Sequence, residues 1–219
     1  MRDDIVMSKI FSCDESKILK EIMQYRRDVR GNRFIKKELS QTVIDQLLEA
    51  ALYAPSVGYS QPWKFVVIDD TAIKQKVFNS FSKENTQAKE LFSDTKQQHY
   101  SQLKLEGILE APINIAVFYV HTDKPILGQT TMANVGKYSV VCAIQNMWLM
   151  ARSLNIGVGW VSIVEPDQVK KAVNAPKNCE LIGYLCVGYV SEFLDEPELK
   201  HSGWNQQKYK QDVIFDNKF

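Results

Sequence analysis

Apolar and polar positions in the first fifty residues alternate at helical spacing. In ESKILKEIMQY, Ile18, Leu19, Ile22 and Met23 fall on one face; in SQTVIDQLLEAALY, Val43, Ile44, Leu47, Leu48, Ala51 and Leu52 do the same behind a Ser40 cap. The pattern predicts two amphipathic helices. WKFVVID and INIAVFYV are apolar runs of strand length, and residues from about 84 to 110 between them are polar enough for one or two exposed helices ending at Pro112. YSVVCAIQNMWLMARSL is apolar nearly all round, which predicts a helix at the centre of a core or at a subunit interface, stopped by Gly157. VGWVSIV reads as a strand, Pro166 as the first residue of a short helix, and LIGYLCVGYV as a last strand. The tail beyond Pro197 is polar with isolated aromatics, Trp204 and Tyr209, and looks like an arm in need of a partner surface. Such a mixture fits either a doubly wound sheet or an α+β layer fold, and the pattern alone does not choose.

With 219 residues, 45% apolar and 24% charged, the chain can build one sizeable core, and a single domain is expected. The formal charge of +1 makes Arg26, Arg27, Arg30 and Arg33, in YRRDVRGNRF, a local concentration and not part of a basic protein. General nucleic-acid binding, which needs an extended basic footprint, is not expected. Cys13, Cys142, Cys179 and Cys186 form no C-x-x-C pair and lack a signal peptide beside them, so free thiols in a cytoplasmic compartment are expected. No apolar run is long enough to span a bilayer. GVGWVS lacks the third glycine of a dinucleotide fingerprint and leads into a strand, and no phosphate-cradling Walker loop occurs. His99, His121 and His201 are too scattered to propose a metal site.

Two stretches remain that can carry chemistry. Arginine forks bind phosphate through paired, charge-assisted hydrogen bonds, so the cluster suits a phosphorylated ligand; the alternative is a solvated charge cluster in which Asp28 pairs with a neighbouring arginine. In APSVGYSQPWKF, Pro55, Gly58 and Pro62 fix an irregular backbone that presents Ser56, Ser60 and Gln61, while Trp63 closes it against the core. A helix terminator followed by a turn is the plainer reading of that stretch.

Taken in order, RRDVR, APSVG with its following QPW, LKLEGILEAP, WLMARSLNIGVGWVSI and the terminal YLCVGY, PEL and GW resemble the flavin-dependent nitroreductase family, and within it the 5,6-dimethylbenzimidazole synthase group, over residues 20–205. The resemblance implies an α+β nitroreductase-like fold, a central β-sheet wrapped by helices, in an intertwined homodimer with FMN at the subunit interface. It implies one FMN-binding domain over residues 1–219, with a core of about 16–205 and a C-terminal arm over 197–219. By the same resemblance Arg26, Arg27 and Arg30, with Asp28 and Val29 between them, hold the flavin phosphate and pyrimidine edge. Pro55 and Ser56 pack on the ring from the other subunit with Ser60 and Gln61 close by, Leu105 lies on a helix that borders the pocket, and Trp160, Val161 and Ser162 pass the N5 edge. The implied reaction is fragmentation of reduced FMN with molecular oxygen to 5,6-dimethylbenzimidazole, the lower ligand of cobalamin, and erythrose 4-phosphate. Asp28 is then the base near the ribityl C1′, and Ser162 the second catalytic residue. Nearby arginines favour the ionised form of Asp28 and the flavin phosphate opposes it, so the sign of its pKa shift stays open.

The chain departs from the group in one place. An arginine is usual three residues after the tryptophan of GW, whereas here Gln207 and Lys208 follow Trp204, and Lys208 offers the phosphate a point charge without a fork. Tyr59 occupies a variable position of the loop. A separate flavin reductase is implied as the source of reduced FMN, and the segment His121 to Lys137 is a candidate lid with Gly128 and Gly136 as hinges. Two other readings stay open: an NAD(P)H-dependent FMN nitroreductase or quinone reductase, and a flavin-binding protein without activity.

Overall fold

The computed structural model describes residues 8–219. Four strands, β1 (Trp63–Ile68), β2 (Ile113–Val120), β3 (Ile156–Val161) and β4 (Cys179–Tyr189), form one sheet in the order β1-β2-β4-β3 with every neighbouring pair antiparallel. That decides between the two architectures the pattern left open: the fold is α+β, not doubly wound. Successive residues of the central strands point to opposite faces and both faces are covered. Ile115, Val117, Leu185 and Val187 join one core with helices α2 (Gln41–Leu52) and α5 (Val135–Ser153). Ala116, Phe118, Tyr184 and Cys186 join the other, with Val77 and Phe81 of α3 (Thr71–Glu90) and Val169 of α6 (Pro166–Ala172). Burial on both faces is why these antiparallel strands read as unbroken apolar runs.

The helix starts follow local chemistry. α1 (Cys13–Tyr25) begins with a capping box in which the Glu15 N–H donates to Ser12 Oγ at 3.2 Å and the Ser12 N–H donates to Glu15 Oε2 at 2.7 Å. Ser40 caps α2, and Pro166 holds the first turn of α6. The apolar face expected of α1 exists but is largely uncovered among the described residues: the helix meets α5, yet Ile18, Leu19 and Met23 are half exposed and no residue of α1 is buried.

Three expectations are corrected. Gly157 does not stop α5; it lies inside β3, and the helix ends at Leu154 and Asn155, where Asn155 takes the left-handed conformation (φ 57°) and accepts from Arg152 Nη1. The helix expected from about residue 84 starts at Thr71, where the Asp70 carboxylate accepts from two backbone N–H groups. It is followed by α4 (Asp94–Gln102), and residues 103–112 are irregular backbone, not helix. Leu105 therefore sits on an irregular segment. That segment is far from exposed: Ile108, Ala111 and the Glu106 side chain are buried, and buried Lys74 donates to the carbonyls of Ala111 and Pro112 at 2.9 and 2.6 Å. Helical periodicity fails there because the polar groups face inward onto backbone partners.

Candidate active site

After α1 the chain runs onto the free edge of β3. Asp28 bridges Val158 in parallel, and the Val29 N–H donates to Val158 O at 3.0 Å. The approach is close because β3 offers glycine: a Cβ on Gly159 would lie 2.1 Å from Val29 O. This contact places the Asp28 carboxyl. Its Oδ1 accepts from the Trp160 N–H at 2.9 Å and its Oδ2 pairs with Arg30 Nη2. Burial raises the Asp28 pKa; Arg30, the Trp160 N–H and Arg26 pull it down, and Glu198 adds to the rise. The sign left open by the sequence is thus set by desolvation, which outweighs the arginines.

The three arginines divide the work. Arg30 also donates from Nη1 to Leu105 O at 3.2 Å, tying the Asp28 segment to the irregular loop 103–112. Arg27 is spent on backbone: Nε donates to Leu194 O at 2.9 Å, Nη1 to Gln24 O and Arg26 O at 2.8 and 2.7 Å, and Nη2 to Asp195 O. It fastens the chain after β4 to the end of α1 and has no fork left for a phosphate. Arg26 is the opposite case. Its guanidinium lies over the Trp148 ring at 4.7 Å and, among the described residues, has no hydrogen-bond acceptor. Burial lowers its proton affinity, which Asp28 partly restores. A half-buried cation in want of an acceptor suits an anionic group.

Arg26, Arg27, Asp28 and Arg30 line a cavity of about 140 Å³ together with Leu103, Lys104, Pro197, Glu198 and Leu199. The last three come from the start of α7 (Glu198–His201), so the C-terminal arm closes one wall. Four residues missing from the expected site support it. Trp148 donates from Nε1 to Arg27 O at 3.2 Å, Arg152 donates from Nε to Tyr25 O at 2.8 Å, Lys104 pairs with Glu106 and, at 2.8 Å, with Glu110, and Glu198 pairs with Arg33 at 3.0 Å. Lys104, Glu106 and Glu198 lie in LKLEGILEAP and PEL; the signal was present, but Glu198 takes its partner Arg33 from far along the chain, and the local Lys104 pairs form on irregular backbone that helical spacing does not reveal.

The second half of the expected site is elsewhere. Pro55, Ser56, Ser60 and Gln61 precede β1, on the edge of the sheet opposite β3, three strand spacings or roughly 14 Å away. Their loop is held in an uncommon backbone: Gly58, Tyr59 and Gln61 have φ of 54°, 53° and 45°. Ser139 Oγ accepts from the Val57 N–H and Ser56 Oγ from the Gln61 N–H, both at 3.1 Å. Ser60 Oγ is buried without a hydrogen-bond partner among the described residues. One chain does not bring this loop to Asp28.

Trp160 and Val161 close β3, with Val161 and Val29 both buried in the core, whereas Ser162 lies just past the strand end, exposed. Lys208 is exposed on the arm beside Lys200 and Lys210, apart from the Asp28 cavity. The arm is anchored by Trp204, which packs on Phe92 and Tyr100 with ring centroids 5.1 and 6.1 Å away. Gly136 is no hinge: it lies in the first turn of α5, where a Cβ would meet the Tyr119 ring at 2.6 Å. Gly128, with φ 85°, keeps the backbone a hinge needs.

Residues 23–189 match the model of the nitroreductase family. The chain is 42% identical over 192 residues to the 5,6-dimethylbenzimidazole synthase of Rhodospirillum rubrum, covering 87% of this chain and 90% of that one. Among solved structures, it resembles a BluB-like flavoprotein from Clostridium difficile 630 with a TM-score of 0.69 and 21% identity over 91% of this chain and 99% of that one. It also resembles an iodotyrosine deiodinase bound to FMN and 3-iodo-L-tyrosine, with a TM-score of 0.72 and 20% identity over 92% of this chain and 100% of that one.

Proposed function

From the premise that this chain belongs to the nitroreductase family, we propose that it is a 5,6-dimethylbenzimidazole synthase acting on reduced FMN and molecular oxygen, with erythrose 4-phosphate as the second product. The observation that carries the reading is Asp28, a carboxylate of raised proton affinity in an arginine-lined cavity, on a chain 42% identical to a synthase of that activity. Bound FMN supplies the ring and the ribityl carbon that become the product. The residues fit it: Arg26 offers the phosphate or the pyrimidine edge an unused fork, Arg30 is fixed by Asp28, and the Ser60 hydroxyl awaits a partner. Asp28 takes the proton from the ribityl C1′, and Ser162, open at the end of β3, relays protons by its hydroxyl. Arg27 holds the wall of the cavity, and Lys208 reaches the ligand only where the arm moves toward it or toward a partner's site.

The site is completed by a second copy. Tyr138 and Val141 of α5, Leu52 and Tyr53 at the end of α2, and Tyr59, Leu127 and Met132 are large apolar residues left exposed, as is one face of α1. Pairing two chains through these surfaces would bring the loop 55–61 of one to the Asp28 edge of the other. In sedimentation, the 25.1 kDa chain is expected to run as a dimer without dissociating at micromolar concentration. A monomer that still turns over would sink the shared site.

The deciding test mixes the purified protein with chemically reduced FMN, admits oxygen, and follows the 450 nm flavin band with product masses. Loss of recoverable flavin with dimethylbenzimidazole appearing supports the synthase, whereas full recovery of flavin together with steady NADH or NADPH oxidation against a nitro or quinone acceptor supports a reductase. A separate flavin reductase is the proposed source of reduced FMN in the cell, which we place in the cytoplasm; no helix among the described residues is long and apolar enough to cross a membrane.

Arg26 and Arg27 give a paired prediction. Losing one charge-assisted fork costs about 1.5–3 kcal/mol, so Arg26→Ala should weaken FMN binding by roughly 10- to 100-fold, read by flavin fluorescence quenching, with little change in Tm. Arg27→Ala should do the reverse, lowering Tm because four carbonyls lose their donor.

A further inference from the structure

Two cavities meet at Asp28, and Glu198 is the one other carboxylate that lines both. The larger is the arginine-lined one; the smaller, about 10 Å³, adds Arg33, Glu192, Phe193 and Leu194. Glu198 is not a loose surface acid. Its side chain is 28% exposed, it opens α7, and Arg33 Nη1 holds it at 3.0 Å while Arg33 Nε stands 3.8 Å from Glu192. Arg30 and Arg26 on the Asp28 segment, with the Trp160 N–H from β3, favour the ionised carboxylate and so work against Asp28 as a base, opposing the rise that burial gives it, while Lys104 on the same cavity is paired with Glu106 and Glu110.

We propose that Glu198 is a positioning residue for the reaction, a second negative charge fixed by Arg33 across the cavity from Asp28 that offsets the arginines and keeps Asp28 basic enough to accept a proton. The inference rests on the reading of Asp28 as the base. The direction of the Asp28 shift agrees with it, since burial and Glu198 act together against Arg30, the Trp160 N–H and Arg26. Glu106 and Cys186 are buried and line neither cavity.

The test uses two readouts on the full chain: the titration of the Asp28 carboxyl carbon by NMR in the flavin-free protein, and the pH profile of dimethylbenzimidazole formation from reduced FMN. Glu198→Gln should move the Asp28 titration and the acidic limb of the profile together toward lower pH, with kcat changed more than KM, and Glu198→Asp should return both toward the wild type. Arg33→Met, which removes the opposing charge and leaves Glu198, should move the titration the other way. An Asp28 titration unmoved by Glu198→Gln, or a loss of activity equal at every pH, overturns the proposal and leaves Glu198 a structural contact. Should the wild type form no dimethylbenzimidazole, the functional reading fails while the NMR titration still decides whether Glu198 acts on Asp28.

Discussion

Asp28→Asn should abolish dimethylbenzimidazole formation, with a loss of at least about 100-fold as expected for removal of a general base, while the folded protein loses no stability. The amide keeps an oxygen for the Trp160 N–H, so the backbone contact at β3 survives, and although the pairing with Arg30 is lost, burial of the charge outweighs that pairing. The sign of the stability effect follows from linkage. A carboxyl whose native pKa is raised binds its proton more tightly folded than unfolded, so its contribution favours folding at low pH and is lost as pH rises from the unfolded value through the native one. Above the unfolded value the Asp28 carboxyl therefore subtracts stability from the flavin-free protein, and the neutral amide removes that cost. A thermal melt at neutral pH should show Tm unchanged or higher in the variant, and the gap to wild type should close on acidification. Retained turnover, or a Tm that falls at neutral pH, would contradict both the assigned role and the environment described for this group. The expected pairing of lost activity with undiminished stability is the pattern of a residue kept for chemistry.

Gly159→Ala carries the second large effect, for a reason unrelated to proton transfer. The added Cβ would stand 2.1 Å from the Val29 carbonyl oxygen, and that neighbour is backbone held by its own hydrogen bond to β3. No side-chain rotation relieves the clash, so the Asp28–Val29 segment must leave the strand edge. About 3 kcal/mol, the upper end for overpacking, is expected, which for a chain of this size lowers Tm by roughly 6–12 °C. Activity should fall further than stability does, because the displaced segment carries Asp28 and Arg30. A variant with unchanged Tm and turnover would show that the close approach at Gly159 is not needed for the site. Gly183→Ala offers the comparison: its Cβ would meet the Trp160 and Ile144 side chains at 3.0–3.1 Å, where side chains can yield by a few tenths of an ångström.

Much of the framework was legible in the order of residues. The apolar runs of β2 and β4, the all-round apolar character of α5 and the caps at Ser40 and Pro166 depend on neighbours within a few positions, and those the sequence displays. The start of α3 at Thr71 was missed because TAIKQKVFNSF buries a narrow face, and the irregular backbone of residues 103–112 was misread as helix because its polarity suggested solvent. There the polar groups are internal partners: Glu106 accepts from the Ile108 N–H at 2.7 Å and the Asn114 amide donates to Ile108 O at 2.9 Å.

The sequence by itself determined the local elements, the four-arginine cluster around one aspartate and, through the order of its motifs, the family; each of these is set by residues close together in the chain. Only the tertiary structure decided that the sheet is antiparallel and that the Asp28 and Pro55–Gln61 halves of the site stand on its opposite edges. It also decided which arginine is spent on carbonyls, which has a fork to offer, and that burial outweighs the arginines in setting the affinity of Asp28 for its proton. Strand order, desolvation and hydrogen-bond partners depend on residues brought together from tens of positions apart in the sheet and more than a hundred at the Asp28–Trp160 and Arg27–Leu194 contacts, and no local pattern encodes which of them will meet.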